Sequence, residues 1–138
     1  MHDLLLPADF LRRADAAPAI PGAYLLLVTL PTRLRLDLPR RREAMLEPGR
    51  FLYAGSARGP GGIRARLARH LRRDKKPHWH IDQLTAAGEA LGGWVFPGGH
   101  ECAIIDALAH LPHPLPGFGS TDCRHCISHL LAWPSVAA

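Results

Sequence analysis

The sequence predicts a single α+β domain, in which a small antiparallel sheet is flanked by helices. Three observations lead to this fold class. The length of 138 residues suits one domain with one core. Apolar or alternating runs bounded by glycine and proline are typical of short strands, and a later run repeats its apolar residues at helical spacing.

The first half of the chain contains one predicted helix and three predicted strands. Leu6, Phe10 and Leu11 lie on one side of an amphipathic helix over residues 3 to 16. The prolines and glycine that follow end this helix. The first strand is apolar on both faces and therefore central, whereas the second alternates as a half-exposed strand does. The strands are predicted at residues 22 to 30, 33 to 38 and 50 to 55.

The second half of the chain is mostly helical in this prediction. Ile63, Leu67 and Leu71 repeat every fourth residue, which gives a helix over residues 63 to 73 one face for the core. A compact segment at residues 117 to 133 is expected to complete the chain. The elements between are a helix, a short strand and a helix, at residues 79 to 87, 93 to 96 and 101 to 111.

Domain limits and a compartment follow from the same pass along the chain. We expect a helical N-terminal extension at residues 1 to 20 and a main domain, with a Cys/His-containing C-terminal segment, at residues 21 to 133. The longest apolar stretch is far shorter than the ~20 residues that span a bilayer, and no secretory signal is recognisable. The sequence therefore predicts a cytoplasmic protein whose three cysteines are reduced.

Positive charge is concentrated in the middle of the chain. Residues 33 to 76 hold fourteen lysines and arginines against four acids, a local net charge of +10, while the whole chain carries +5. Such a concentration suits a polyanion, because each neutralised phosphate releases condensed counterions. Solvated arginine-rich loops are the alternative interpretation.

Two tyrosine-containing tripeptides border the predicted strands. Gly22-Ala23-Tyr24 opens the first strand, and Tyr53-Ala54-Gly55 closes the third. Arg66 and His70 lie four residues apart and therefore share a face of the following helix. Glu101 begins a later helix. Each residue alone has an ordinary explanation in strand packing, a solvated helix face or the helix dipole, and it is their joint order that favours a shared site.

This order resembles the GIY-YIG nuclease superfamily, whose two namesake tripeptides start and end neighbouring strands. Both tripeptides carry alanine here where the superfamily name has isoleucine. A closer resemblance is to an uncharacterised subgroup that is also found fused to endonuclease III-like DNA glycosylases. The residues that carry it are 53 to 57, 69 to 71, 78 to 82, 101 to 102 and 117 to 130. The resemblance implies an α+β nuclease fold and hydrolysis of phosphodiester bonds.

The resemblance also implies a catalytic set of Tyr24, Tyr53, Arg66, His70 and Glu101. Glu101 would hold Mg²⁺ or Mn²⁺, hard cations that prefer oxygen ligands. Arg66 would grip phosphate oxygens with its planar fork, and His70 would relay or donate a proton near neutral pH. Tyr24 is the expected base beside a metal-bound water, and Tyr53 is expected to position the phosphate or the water.

DNA contacts are expected on the basic helix, its flanking loops and the segment that follows. One of these residues, His80, belongs to a run of His78, Trp79 and His80, for which capping and core packing are the alternatives. The predicted DNA-binding residues are Arg58, Arg64, Arg69, Arg73, Lys75, Lys76 and His80.

Cysteines and histidines near the C-terminus have the spacing of a metal site. Cys123-x-x-Cys126-x-x-His129, with Cys102 or His100 as a fourth ligand, would hold a structural zinc ion. In the preferred interpretation no zinc is bound, and Cys102 is a small buried apolar residue. Asp122 is expected to cap a turn or helix.

The function predicted from the sequence is that of a metal-dependent DNA endonuclease, in repair, restriction or mobile-element metabolism. One alternative is a non-catalytic module that binds nucleic acid through its basic surface. Another is a zinc-stabilised adaptor that acts through a partner protein. A homodimer, or a partner protein for targeting, is compatible with the leading prediction.

Overall fold

The computed structural model describes residues 10–38, 42–72, 80–108, 111–112, 114 and 128–132. The strands of this part are β1 (Phe10–Leu11), β2 (Gly22–Leu30), β3 (Leu34–Leu38), β4 (Arg42–Leu46), β5 (Gly49–Ala57), β6 (Glu89–Pro97) and β7 (Leu130–Ala132). The α-helices are α1 (Gly62–Leu71), α2 (His80–Ala87) and α3 (Glu101–Ala107). Five strands form an antiparallel sheet in the order β1-β6-β2-β5-β7, and β3 pairs with β4. The predicted α+β class is confirmed.

The central strand β2 has one neighbour on each side, β5 and β6, and all of its residues but one are buried. Successive side chains of a strand point to opposite faces. Tyr24, Leu26 and Val28 therefore share one face of the sheet, which we call the tyrosine face. Leu25 and Leu27 lie on the other, which we call the α3 face. The central position predicted for this strand is confirmed.

Helices cover both faces of the sheet. On the tyrosine face, Ile63 and Leu67 of α1 pack together with Ile81 and Leu84 of α2. Apolar residues of α3 pack on the opposite face in a second cluster that includes Ile104, Ile105, Leu25, Leu52 and Leu131. Helix α1 thus packs the apolar stripe that its periodicity predicted against the core.

The hairpin of β3 and β4 packs on α2, and its inner side buries Leu36 and Leu46. The side chain of Gln83 in α2 replaces a neighbouring strand: its amide donates to the Asp37 carbonyl at 2.7 Å and accepts from the Asp37 N–H at 2.9 Å. The sequence prediction has no strand at residues 42 to 46 and is corrected here. That segment is rich in residues that favour helices, so its strand form depends on pairing with β3.

The helix predicted over residues 3 to 16 is wrong for the part that the structure describes, while residues 1–9 lie outside it. Phe10–Leu11 forms β1 on the edge of β6, and Ala14–Ala16 forms a 3-10 turn. Gly92 explains the difference, because a side chain there would overlap the Leu11 carbonyl oxygen. The edge of β6 therefore admits a strand that helical periodicity did not anticipate.

The other predicted elements are found, with shifted ends. The strand predicted at residues 93 to 96 extends over Glu89–Pro97. The prediction was too short because the glycines of this segment interrupt the alternating pattern. The last helix ends at Ala107, whereas the prediction extends it to residue 111. Strand β7 was not predicted, and most of the expected C-terminal segment lies outside the described residues. None of the helices in the described ranges has the length and apolarity needed to cross a membrane.

Candidate active site

The two tyrosines lie toward one end of the sheet, where the start of β2 is beside the ends of β5 and β6. Gly22 pairs with Ala57 on one side and with Pro97 on the other. Helix α1 begins just after β5 ends, and α3 begins just after β6 ends. Residues distant in the chain therefore meet at this edge.

The two phenols lie on the same face of the sheet. Tyr24 is opposite Gly55, and Leu26 is opposite Tyr53, so the tyrosines are diagonal neighbours on adjacent strands. The ring of Tyr24 crosses Gly55, where a Cβ atom would overlap the phenol Cζ and Oη atoms. Gly55 of the second tripeptide thus leaves the space that the ring of Tyr24, in the first tripeptide, occupies.

His70 joins the tyrosine pair from α1. The helix turns Ile63, Leu67 and His70 toward the sheet, and His70 is 1% exposed. The Tyr24 Oη and the His70 Nε2 are 2.7 Å apart, in a buried hydrogen bond. The His70 ring also meets that of Tyr53 edge-on, at 6.1 Å between centroids. A proton can therefore pass between the phenol of Tyr24 and an imidazole.

Burial makes both phenols weaker acids. Burial raises the pKa of Tyr24 well above its ordinary value, and Tyr53 raises it further. Burial also raises the pKa of Tyr53 to about 12, against a lowering by Arg66. The charges of Asp82 and Glu101 raise both values. Each tyrosine is accordingly a neutral hydrogen-bonding group at neutral pH.

Arg66 and Glu101 lie close enough to the two tyrosines for their charges to act on both phenols. Arg66 is partly buried, and its Nη2 atom faces Gly59 in the loop after β5. Glu101 is the first residue of α3, and its side chain is 14% exposed. Its buried Oε2 atom has no hydrogen-bond partner among the described residues. The fold thus brings together all five residues of the predicted catalytic set, and a carboxylate oxygen remains available to a cation.

Asp82 is a charged residue of this region that the predicted site lacked. It is fully buried in α2, and Arg69 Nη2 donates a hydrogen bond to its Oδ2 atom at 2.7 Å. Sequence marked Asp82 only as part of the His78 to Asp82 run in the closer resemblance. Its signal was an acid within an otherwise apolar helix face, beside Ile81 and Leu84.

The predicted DNA-binding residues have different surroundings. Arg58 and Arg64 are exposed, although Arg64 Nε also donates to the Ala17 carbonyl at 2.8 Å. Arg69 turns inward to Asp82, with 22% of its side chain exposed. The side chains of Arg73, Lys75, Lys76 and His80 lie outside the described part of the chain. DNA contact by these residues stays a prediction.

Part of the basic stretch is internally neutralised. Arg33 pairs with Glu47 at 2.8 Å, and Arg35 pairs with Glu43, across the exposed side of the hairpin. These two arginines contribute little net field to a polyanion surface. The count of fourteen lysines and arginines therefore overstates the positive surface of this segment, whereas the net charge of +10 already includes both glutamates.

The predicted zinc ligands are described only in part. Cys102 is disulfide-bonded, which differs from the reduced thiols that we expected. A disulfide sulfur has no thiolate to give a zinc ion, and disulfide pairing depends on spatial proximity, which residue spacing does not reveal. His129 is buried, and Cys123 and Cys126 lie outside the described residues.

Three potential metal ligands also cluster where α3 begins. Donor atoms of His100, Glu101 and Cys102 lie within 4.8 Å of one another. The His100 Nδ1 atom already accepts the Cys102 backbone N–H at 3.3 Å, as a helix cap. With Cys102 in a disulfide, Glu101 is the member best suited to a hard cation.

Comparison with known proteins gives one match. A family model described as "Domain of unknown function DUF123" matches residues 23–138. No curated protein matches the chain, and no solved structure does.

Proposed function

The chain belongs to the DUF123 family, a domain of unknown function, and we propose that it is a metal-dependent DNA endonuclease that hydrolyses phosphodiester bonds. The observation that carries the proposal is the meeting of Tyr24, Tyr53, Arg66, His70 and Glu101 at one end of the sheet. Each side chain meets one need of phosphodiester hydrolysis. A module that only binds nucleic acid has no need of a partly buried carboxylate, Glu101, beside Arg66 and the tyrosines.

The proposal includes a place in a wider family. The chain would be a divergent member of the GIY-YIG superfamily, in the subgroup that also occurs fused to endonuclease III-like glycosylases. The position of Tyr24 at the start of β2 and of Tyr53 on adjacent β5 supports this assignment. So does the shared face of Arg66 and His70 on the next helix.

Proton transfer is assigned to the Tyr24 and His70 pair. Because the raised pKa of Tyr24 keeps its phenol protonated, the residue needs an acceptor before it can act as a base. His70 supplies that acceptor at 2.7 Å. As the attacking water gives its proton to the Tyr24 oxygen, the phenol proton passes to His70 Nε2. The hydroxide formed attacks phosphorus, and the bond to the leaving oxygen breaks.

The other residues bind and orient the phosphate. Arg66 offers two parallel N–H donors to phosphoryl oxygens, whose negative charge grows in the transition state. Tyr53 is a neutral donor that positions the phosphate or the water. Glu101 fits a Mg²⁺ or Mn²⁺ ion, because its buried Oε2 atom has no hydrogen-bond partner among the described residues. Such an ion supplies Lewis-acid stabilisation of the phosphoryl group.

A cytoplasmic location, with access to DNA, is part of the same proposal. The disulfide at Cys102 is more typical of an oxidising compartment. A comparison of wild-type activity with and without a thiol reductant shows which redox state is the active one.

The experiment is a nicking assay on supercoiled plasmid and branched DNA with Mg²⁺ or Mn²⁺. We expect the wild type to nick DNA, and Tyr24→Phe and Glu101→Ala to abolish nicking while retaining DNA binding. Glu89→Ala, an exposed glutamate near the far end of the sheet, is the matched control and retains activity. Binding without nicking by the wild type with either ion would instead support the non-catalytic module.

A further inference from the structure

A buried ion pair joins the two helices of the tyrosine face. Arg69 in α1 donates to Asp82 in α2 at 2.7 Å, and the carboxylate is fully buried. A buried carboxylate persists as an anion only beside a compensating charge. Two apolar side chains would hold these helices together at least as well, so the charge itself calls for an explanation.

The pair stands next to the tyrosines. Arg69 directly precedes His70, and the Asp82 charge acts on both phenols. Among the described residues, the charged and titratable groups that act on the tyrosines come from three helices: Arg66 and His70 from α1, Asp82 from α2 and Glu101 from α3. Arg69 of α1 contacts Asp82. Asp82 is fully buried and pairs with Arg69 on another helix.

We propose that the Arg69–Asp82 ion pair is a positioning element of the nuclease site, which fixes α2 against α1 and so holds His70 on Tyr24. This inference rests on the proposed function. Arg69 then acts through Asp82 and makes no direct contact with DNA. The Asp82 carboxylate also supplies a fixed negative charge beside the phenols, which keeps Tyr24 a hydrogen-bond donor to His70.

Titration of the tyrosines tests this charge without any substrate. The chain has two tyrosines, both in the site, so tyrosinate absorbance reports on the site alone. With a chelator present, Asp82→Asn should lower the titration midpoint, because a neighbouring negative charge that raises both pKa values is removed. Asp82→Glu keeps the charge and should stay near the wild-type midpoint. An unchanged midpoint in Asp82→Asn, or an equal fall in both variants, would overturn the proposal.

Kinetics tests the positioning role. Asp82→Asn should lower kcat at least tenfold and leave KM for DNA unchanged, since Asp82 does not touch the substrate. Asp106→Asn, an exposed aspartate of α3, is the matched control and should match the wild type. A raised KM with an unchanged kcat would contradict the assignment and return Arg69 to the DNA interface.

Arg69→Lys serves if Asp82→Asn does not fold. Lysine keeps the charge for a phosphate contact but lacks the planar fork that holds a carboxylate. We expect a several-fold lower kcat with an unchanged salt dependence of DNA binding, and an unchanged kcat would refute the positioning role. If the wild type cuts no DNA, the proposed function fails, whereas the tyrosine titration still decides whether Asp82 acts on the phenols.

Discussion

The two faces of the central sheet differ in what they bury. On the α3 face, leucines of the sheet pack against the isoleucines of α3. On the tyrosine face, apolar packing by α1 and α2 surrounds a hydrogen-bonded Tyr24–His70 pair and a buried Arg69–Asp82 ion pair. Residues at the centre of both faces are buried, and the tyrosine face places a proton donor, a proton acceptor and an ion pair among them.

This difference separates stability from chemistry. Buried apolar contacts lower the free energy of the folded state in proportion to the area removed from water. Buried polar groups contribute little net stability even when they are paired. We therefore expect substitutions on the α3 face to change stability, and substitutions on the tyrosine face to change activity.

The largest expected effect is on the α3 face. Leu52 is fully buried in β5, and Leu52→Ala should lower the free energy of unfolding by about 2–5 kcal/mol, through lost burial and a residual cavity. Urea denaturation measures this change. The folded variant should cleave DNA at the wild-type rate, and a tenfold slower rate below the unfolding transition would show that the two faces do not divide these roles.

The next largest effect is expected at Gly55, over which the ring of Tyr24 lies. Gly55→Ala would overlap the phenol ring, and the forced displacement should slow cleavage by about 100-fold. Gly59→Ala is the control, because its Cβ atom would meet Arg66 Nη2 at an ordinary 3.7 Å. Single-turnover cleavage rates measure both. Equal rates for the two variants would mean that the position of Tyr24 is unimportant.

A smaller effect concerns stability at high pH. The pKa of Tyr53 is raised to about 12 from the ordinary 10.0, so the folded state holds this proton more tightly than the unfolded state. The protonated phenol of Tyr53 therefore stabilises the folded state fully below pH 10. As the pH rises to about 12, the free energy of unfolding loses this contribution, roughly 2 kcal/mol. The free energy of unfolding, measured by denaturation at each pH across this range, should fall less steeply with pH for Tyr53→Phe than for the wild type. Parallel curves would show that Tyr53 is not buried as described.

The smallest effect is expected at the hairpin beside the tyrosine face. Arg35→Ala removes an exposed ion pair with Glu43 and should leave the free energy of unfolding nearly unchanged, because solvent and salt screen such pairs. Because that charge is already neutralised, the salt dependence of DNA binding should stay the same. Arg58→Ala, which removes an exposed arginine, should lower the slope by about one. A lower slope of the salt dependence for Arg35→Ala would mean that the hairpin contacts DNA.

Much of the fold was visible in local patterns. The continuous apolar run predicted β2, which the structure contains. The four-residue spacing of Ile63, Leu67 and Leu71 predicted α1 in the same way. β4 and β1 were missed because neither carries an alternating pattern, and both form by pairing with a neighbour. Pairing of that kind is a tertiary interaction, which short-range periodicity does not encode.

The candidate site divides in a similar way. Sequence alone determined which chemical groups are present and that Arg66 and His70 share a helix face, because helical geometry fixes that relation locally. Only the tertiary structure placed Tyr24 on Gly55 and His70, turned Arg69 inward to Asp82 and buried the Glu101 carboxylate oxygen. These relations depend on strand register and on helix packing across long stretches of chain. Residue order restricts them only weakly, and the burial that results raises the pKa of both tyrosines.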